Sequence, residues 1–232
     1  MTGRPRPDGE GSGPGGGGRG GRGGGEADAG TAGQPSPSHL GRSVEDMAIA
    51  ARHDAPLTWD DLQRLPDDGL RYELVDGELL VTPAPAPIHQ RVAFNLAVLL
   101  RAAVPPGHEV LMAPLDWYVS ATTVFEPDVL VVRSDDLTDR RLEGTPVLAV
   151  EVLSSSTRLR DMGIKQRAYE TAGLGWYWVV DPAEPRLTVF RLADGRYVEH
   201  AVVTGGDAYV GTQPVAVVVV PGELVEPGRP GG

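Results

Sequence analysis

Val147-Leu148-Ala149-Val150-Glu151-Val152-Leu153 is apolar at every position but one. An extended run that is apolar on both of its faces belongs to a strand covered on both sides. Glu151 interrupts it. Burying an unpaired carboxylate costs on the order of several kcal/mol, so Glu151 must be paired, protonated or metal-bound. Just upstream, Phe125-Glu126-Pro127-Asp128-Val129-Leu130-Val131-Val132 repeats the anomaly, with Asp128 set before a solid apolar run. Two acids at related positions of adjacent buried strands can converge on one hard cation, which takes oxygen ligands. The competing reading pairs Glu151, at a strand end, with Arg158 or Arg160.

Outward from these strands, helical and extended patterns alternate. Leu57 to Leu62 reads as a helix start: Thr58 caps it, acids fill its first turn, Leu57 staples onto Leu62, and Pro66 stops it. Tyr72 to Val81 reads as a hairpin around Asp76-Gly77, a dipeptide suited to a type I′ turn. Its Glu73 and Glu78 share one face. After a Pro-rich loop, a helix is predicted from about 88 to 104, with an apolar stripe of Val92, Leu96, Leu99 and Ala103. Strands are predicted at about 109–119, 124–133 and 146–153, a helix at about 159–172, and a strand at Trp176–Val180. A second hairpin follows around Asp194-Gly195, then a short strand from Val215. Interleaved strands and helices predict an α/β or α+β fold with a central mixed sheet.

Composition bounds the chemistry. The 232 residues include 31 Gly, 21 Pro and no Cys, which excludes disulfides, Cys-ligated metals and a thiolate nucleophile. Residues 1–33 hold 15 of the glycines and no large apolar side chain except Met1. Such a stretch cannot offset its ordering entropy by burial. Residues 1–55 are therefore read as a disordered tail, 56–225 as one domain and 226–232 as a C-terminal tail. Met47 offers a second start that would leave most of the first tail out. No stretch has the roughly 18 apolar residues of a membrane span, and no signal pattern opens the chain, so a cytoplasmic protein with no membrane partner is expected.

Lysine usage is skewed. Twenty of the 21 basic residues are Arg, and the single Lys is Lys165. A bias that replaces Lys by Arg wherever a charge suffices leaves Lys where guanidinium cannot substitute. An ammonium is compact and its pKa can be shifted, which suits either proton transfer or a tight contact to a phosphate and its attacking water. Lys165 follows Asp161 by four residues, with Tyr169 one turn further, so the three share a helix face. A surface Asp–Lys pair is the plain alternative.

Tyr72-Glu73-Leu74-Val75-Asp76-Gly77-Glu78, His89 opening a helix, Glu126-Pro127-Asp128-Val129, Val150-Glu151-Val152-Leu153-Ser154, Arg160-Asp161 with Lys165 and Tyr169, and Tyr177-Trp178-Val179-Val180-Asp181-Pro182 occur in that order. Over about residues 56–225 this resembles the Uma-two restriction-endonuclease family, within the PD-(D/E)xK nuclease superfamily. The resemblance implies a restriction-endonuclease-like fold, a mixed β-sheet core flanked by helices. Pro127-Asp128 matches the superfamily's Pro-Asp, and Glu151 its second acid. The Lys that usually follows that acid by two residues is absent, since position 153 is Leu; Lys165 on the next helix stands in for it.

By that resemblance the protein is a metal-dependent endonuclease acting on DNA. Asp128 and Glu151, with the Val152 carbonyl, would hold Mg²⁺ or Mn²⁺, and Lys165 would orient a water or offset transition-state charge. Glu73 and His89 would support the ligands, although a mixed hairpin face for Glu73 and a core histidine for His89 fit the sequence equally well. Asp161 would position Lys165. Arg158, Arg160 and Arg167 would meet substrate phosphate, or else form a solvated face. A homodimer is open. The net charge of −11 is awkward for a nucleic-acid enzyme, because phosphate contacts come from Lys and Arg. Two alternatives therefore stand: a catalytically inert nuclease-fold binding or interaction module, and a metal-dependent hydrolase of a small phosphoester.

Overall fold

The computed structural model describes residues 55–154 and 160–227, with side chains in the second segment described from residue 163 onward. Its largest sheet has six strands in the order β10-β9-β8-β7-β6-β3. These are β3 (His108–Met112), β6 (Val129–Arg133), β7 (Leu148–Val152), β8 (Trp176–Asp181), β9 (Arg186–Ala193) and β10 (Arg196–Thr204). Only β7 and β8 pair in parallel; the other neighbours are antiparallel, so the sheet is mixed. All five residues of β7 are buried, as a strand apolar on both faces requires.

A four-stranded sheet of order β2-β1-β5-β4 lies beside it, formed by β1 (Arg71–Val75), β2 (Glu78–Thr82), β4 (Trp117–Ser120) and β5 (Thr123–Phe125). The sequence patterns at 109–119 and 124–133 predict two long strands. Each is instead broken, one around Pro114 and the other at Pro127, and the pieces join different sheets. Proline has no N–H to give a ladder, so it ends pairing at these points. The break at Pro127 leaves Asp128 where the chain crosses from β5 to β6.

The β1–β2 hairpin turns at Asp76 and Gly77, both at positive φ (51° and 84°), as a type I′ turn demands. Leu57 N–H donates to the Gly77 carbonyl at 3.1 Å, and a Cβ at position 77 would collide with Pro56. The short helix α1 (Trp59–Leu62) is tied to this turn. Its first turn is closed by Asp61, whose carboxylate accepts from the Thr58 N–H (3.0 Å) and hydroxyl (2.7 Å).

The helix α2 (Pro87–Ala103) covers one face of the six-stranded sheet. Its buried side chains include His89, Ala93, Leu96 and Leu100, together with Val92 and Ala97. Leu99, placed in the predicted stripe, is 38% exposed. The core-facing stripe is rotated toward the His89 side. The other face packs Leu130, Ala149, Tyr177 and Val179 against Trp117 and Phe125 of the smaller sheet and Tyr169 of α3 (Arg160–Thr171). A two-stranded ribbon of β11 (Tyr209–Gly211) and β12 (Val217–Val219), followed by α4 (Pro221–Val225), completes the α2 side. Residues 1–54 and 228–232, which make up most of both tail readings, lie outside the described residues. No described helix is long and apolar enough to cross a membrane.

Candidate active site

Five elements deliver charged side chains to one end of the six-stranded sheet. Antiparallel pairing of β6 and β7 aligns Val129 with Val150, and one step further along the ladder sets Asp128 across from Glu151. Parallel pairing sets Glu151 beside Val179, with Tyr177 two residues back on the same face. Helix α3 crosses that face and presents Lys165 and Tyr169, four residues apart. From the smaller sheet, β1 supplies Arg71 and Glu73, which alternate onto one face. Helix α2 supplies His89.

The contacts form a closed set. The Lys165 Nζ lies 2.8 Å from Glu73 Oε2 and 3.0 Å from Glu151 Oε1. Tyr169 donates its hydroxyl to Glu151 Oε1 at 2.6 Å. Glu73 Oε1 accepts the Glu126 N–H at 2.8 Å, which ties β1 to the Pro127 break. Asp128 Oδ2 accepts the Val152 N–H at 2.8 Å and lies 3.0 Å from His89 Nε2, while its Oδ1 lies 2.8 Å from Arg71 Nη1. Glu73, His89, Asp128, Glu151 and Lys165 are all buried.

Three carboxylates thus face two fixed cations, leaving negative charge in excess. Burial, offset in part by Lys165, pushes Glu151 up to about 7, and Asp128 and Glu73 add to the rise. Burial would raise Asp128 as well, but the His89 hydrogen bond and the Arg71 and Lys165 charges hold it at about 2. Burial works against the charge on Lys165, yet Glu151 and Glu73 outweigh it and keep the amine above its ordinary value. Of the two chemistries that a solitary Lys suits, this environment favours a permanent cation over a proton carrier. The cluster lines a cavity of about 490 Å³, walled on its apolar side by β2 and the Pro83–Ala86 loop.

The sequence model of the Uma2 family, described as "putative restriction endonuclease", matches residues 59–220. The chain belongs to the Uma2 family. The Uma2 chain is also similar in structure to a putative nuclease belonging to DUF820 from Anabaena variabilis ATCC 29413. The TM-score is 0.60 at 18% identity, over 73% of this chain and 98% of that one. At such identity the likeness concerns the fold, and the mixed α+β architecture matches a restriction-endonuclease-like nuclease fold. No curated protein matches the chain.

Among the residues singled out from sequence, Asp128, Glu151, Lys165, Glu73 and His89 come together in this Uma2 site. Glu73 is on the buried side of its hairpin although Glu78, on the same face, is exposed. Arg167 does not reach the cluster. It is exposed, donates to the Gly163 carbonyl at 3.1 Å, and borders a separate depression with Val75 and Thr171. Two positions past Lys165 on a helix lies the opposite face, which accounts for the difference. Arg158 lies outside the described residues, as do the side chains of Arg160 and Asp161.

Sequence reasoning missed Arg71, Tyr177 and the bond from Tyr169. Arg71 was within reach, since it precedes Glu73 by two residues and so shares its strand face. Restriction-endonuclease-like families generally use divalent metals, and the donor types here fit one: three carboxylates suit Mg²⁺ or Mn²⁺. Two buried atoms bordering the cavity, His89 Nδ1 and Tyr177 Oη, have no hydrogen-bond partner among the described residues. Among those residues, however, no three His, Asp or Glu side chains form a ready-made chelate. Lys165 and Arg71 supply the positive charge between the acids.

Proposed function

We propose that this chain is a divalent-metal-dependent endonuclease that hydrolyses phosphodiester bonds of DNA. The observation that supports it is the meeting of Asp128, Glu151 and Lys165 at one cavity, three groups drawn from two adjacent strands and the following helix. Asp128 and Glu151, with the Val152 carbonyl, would hold Mg²⁺ or Mn²⁺. Such an ion, when bound, lowers the pKa of a coordinated water and offsets charge on the scissile phosphate.

The chain's own groups supply the rest. Lys165 places a permanent positive charge beside the ligands, where it orients the attacking water and counters charge developing on phosphate oxygens. Glu73 holds the ammonium together with Glu151. His89 and the Val152 N–H fix one oxygen of Asp128, and Tyr169 fixes one oxygen of Glu151. Asp161 is assigned to positioning Lys165, and Arg158 and Arg160 to substrate phosphate.

A plasmid-nicking assay with Mg²⁺ and Mn²⁺ titrations, on wild type, Asp128→Ala, Glu151→Ala and Lys165→Ala, tests this reading. Nicking by wild type alone is expected; nicking that survives in all three variants places the chemistry elsewhere. One observation favours a second reading. Arg71 and Lys165 already engage oxygens of Asp128, Glu73 and Glu151, which suits an inert nuclease-fold binding module. Wild type that neither nicks DNA nor binds metal would select that module. Hydrolysis of bis-p-nitrophenyl phosphate without DNA cleavage would select a small-phosphoester hydrolase.

A further inference from the structure

The two cations of the cluster are held differently. Lys165 sits between two carboxylates, at 2.8 and 3.0 Å, and its side chain is 9% exposed. Arg71 has one close carboxylate among the described residues, Asp128 at 2.8 Å. Glu126 stands off at 3.9 Å, and the Arg71 side chain is 17% exposed. Both cations border the cavity. Arg71 therefore is the less constrained of the two and the nearer to solvent. Its partner oxygen, Asp128 Oδ1, is the one not occupied by His89 and the Val152 N–H.

A guanidinium at that oxygen has two consequences. It competes directly with any divalent cation for Asp128, because two positive charges cannot share one carboxylate oxygen without strong repulsion. Its planar fork also matches the non-bridging oxygens of a phosphate better than an ammonium does. A cation that takes Asp128 would free a phosphate-binding group at the wall of the same cavity.

We propose that Arg71 is the exchangeable counter-ion of Asp128, neutralising that carboxylate until a divalent cation replaces it and then binding substrate phosphate. The role rests on the divalent-cation reading above and extends it, since Arg71 matches none of the residues that the family resemblance carries. It couples metal and substrate binding. The guanidinium is available to phosphate only when Asp128 has another partner, so the two ligands promote one another.

The test is calorimetric Mn²⁺ binding to wild type, Arg71→Gln and Arg71→Lys, each checked by thermal melting. Arg71→Gln should bind Mn²⁺ at least about tenfold more tightly than wild type, and Arg71→Lys within a few-fold of it. Thymidine monophosphate, titrated with and without Mn²⁺, should bind wild type more tightly when Mn²⁺ is present, and Arg71→Gln should lose most of that gain. Wild type and Arg71→Gln binding Mn²⁺ equally well, or the variant binding it less well, overturns the role of Arg71 and leaves the metal reading intact. No Mn²⁺ binding by either protein overturns both. Should Arg71→Gln not fold, guanidinium NMR of the wild type decides. Faster solvent exchange at Arg71 on adding Mg²⁺ supports the role, and unchanged exchange at saturating Mg²⁺ rejects it.

Discussion

Tyr169 donates its hydroxyl to the same oxygen of Glu151 that Lys165 contacts, at 2.6 Å against 3.0 Å. Two residues one helical turn apart thus fix one carboxylate from one side, and the phenol lies fully buried among Trp117, Phe125 and Tyr177. Burial, with Glu151 and Glu73 adding, holds the Tyr169 hydroxyl well above its ordinary value, so it remains a donor throughout the physiological range.

Tyr169→Phe should keep the ring packing and lose the bond. A hydrogen bond to a charged group is worth about 1.5–3 kcal/mol, so urea unfolding should show a loss of that order. Nicking activity should fall about tenfold through misplacement of Glu151. Full activity in a variant that is measurably destabilised would make the bond a contribution to stability alone.

Glu73→Ala removes one of the two carboxylates around Lys165 and also orphans the Glu126 N–H. Breaking a buried ion pair from one side costs about 3–5 kcal/mol. The expected result is a lowered melting temperature, with the milder Glu73→Gln retaining the fold and losing activity. A Glu73→Ala protein as stable as wild type would mean that this pair contributes nothing to folding.

Lys165→Met leaves Glu73 and Glu151 buried without their shared cation, and should cost about 3–5 kcal/mol at neutral pH. In a double-mutant cycle, adding Glu73→Gln should recover part of the loss, because one uncompensated charge is removed with it. Strict additivity of the two substitutions would contradict the contact.

Asp61 gives a pH test away from the cluster. Bonds from the Thr58 hydroxyl and N–H hold its carboxyl below the ordinary value of 3.8. A depressed carboxyl contributes stability that is complete above the unfolded-state value and disappears as pH falls through the folded-state value. Asp61→Asn should therefore be less stable than wild type by about 0.5–1 kcal/mol at pH 7, with the gap closing below pH 3.8. Urea midpoints measured from pH 7 downward would reveal a gap that widens instead.

Much of the architecture is legible in the chain because it follows from local rules. Apolar residues on both faces of 147–153 require a doubly covered strand, and Asp76-Gly77 and Asp194-Gly195 both turn through positive φ. The divisions at Pro114 and Pro127 are harder to read. Apolar alternation continues on either side of each proline, and only tertiary pairing reveals that the two halves enter different sheets. The exposure of Leu99 was hidden for a similar reason, since several helical stripes fit the same residues. In the candidate site, Lys165 stood out by composition and Glu151 by its apolar setting. Glu73 could be read either way until its burial against Lys165 decided it, and Arg71 looked like one arginine among twenty.

The Glu126-Pro127-Asp128 tripeptide works as a rivet between two plates. Its first backbone N–H is pinned to Glu73 on one sheet, and its last carboxylate to Val152 on the other. The Asp194-Gly195 tip, where a Cβ at Gly195 would meet nothing within 4 Å, can lengthen without disturbing the spacing of the acids, whereas one residue inserted between 126 and 128 would unfasten both plates at once. Engineering that grafts new recognition elements onto this scaffold should use that outlying turn and leave the seam alone.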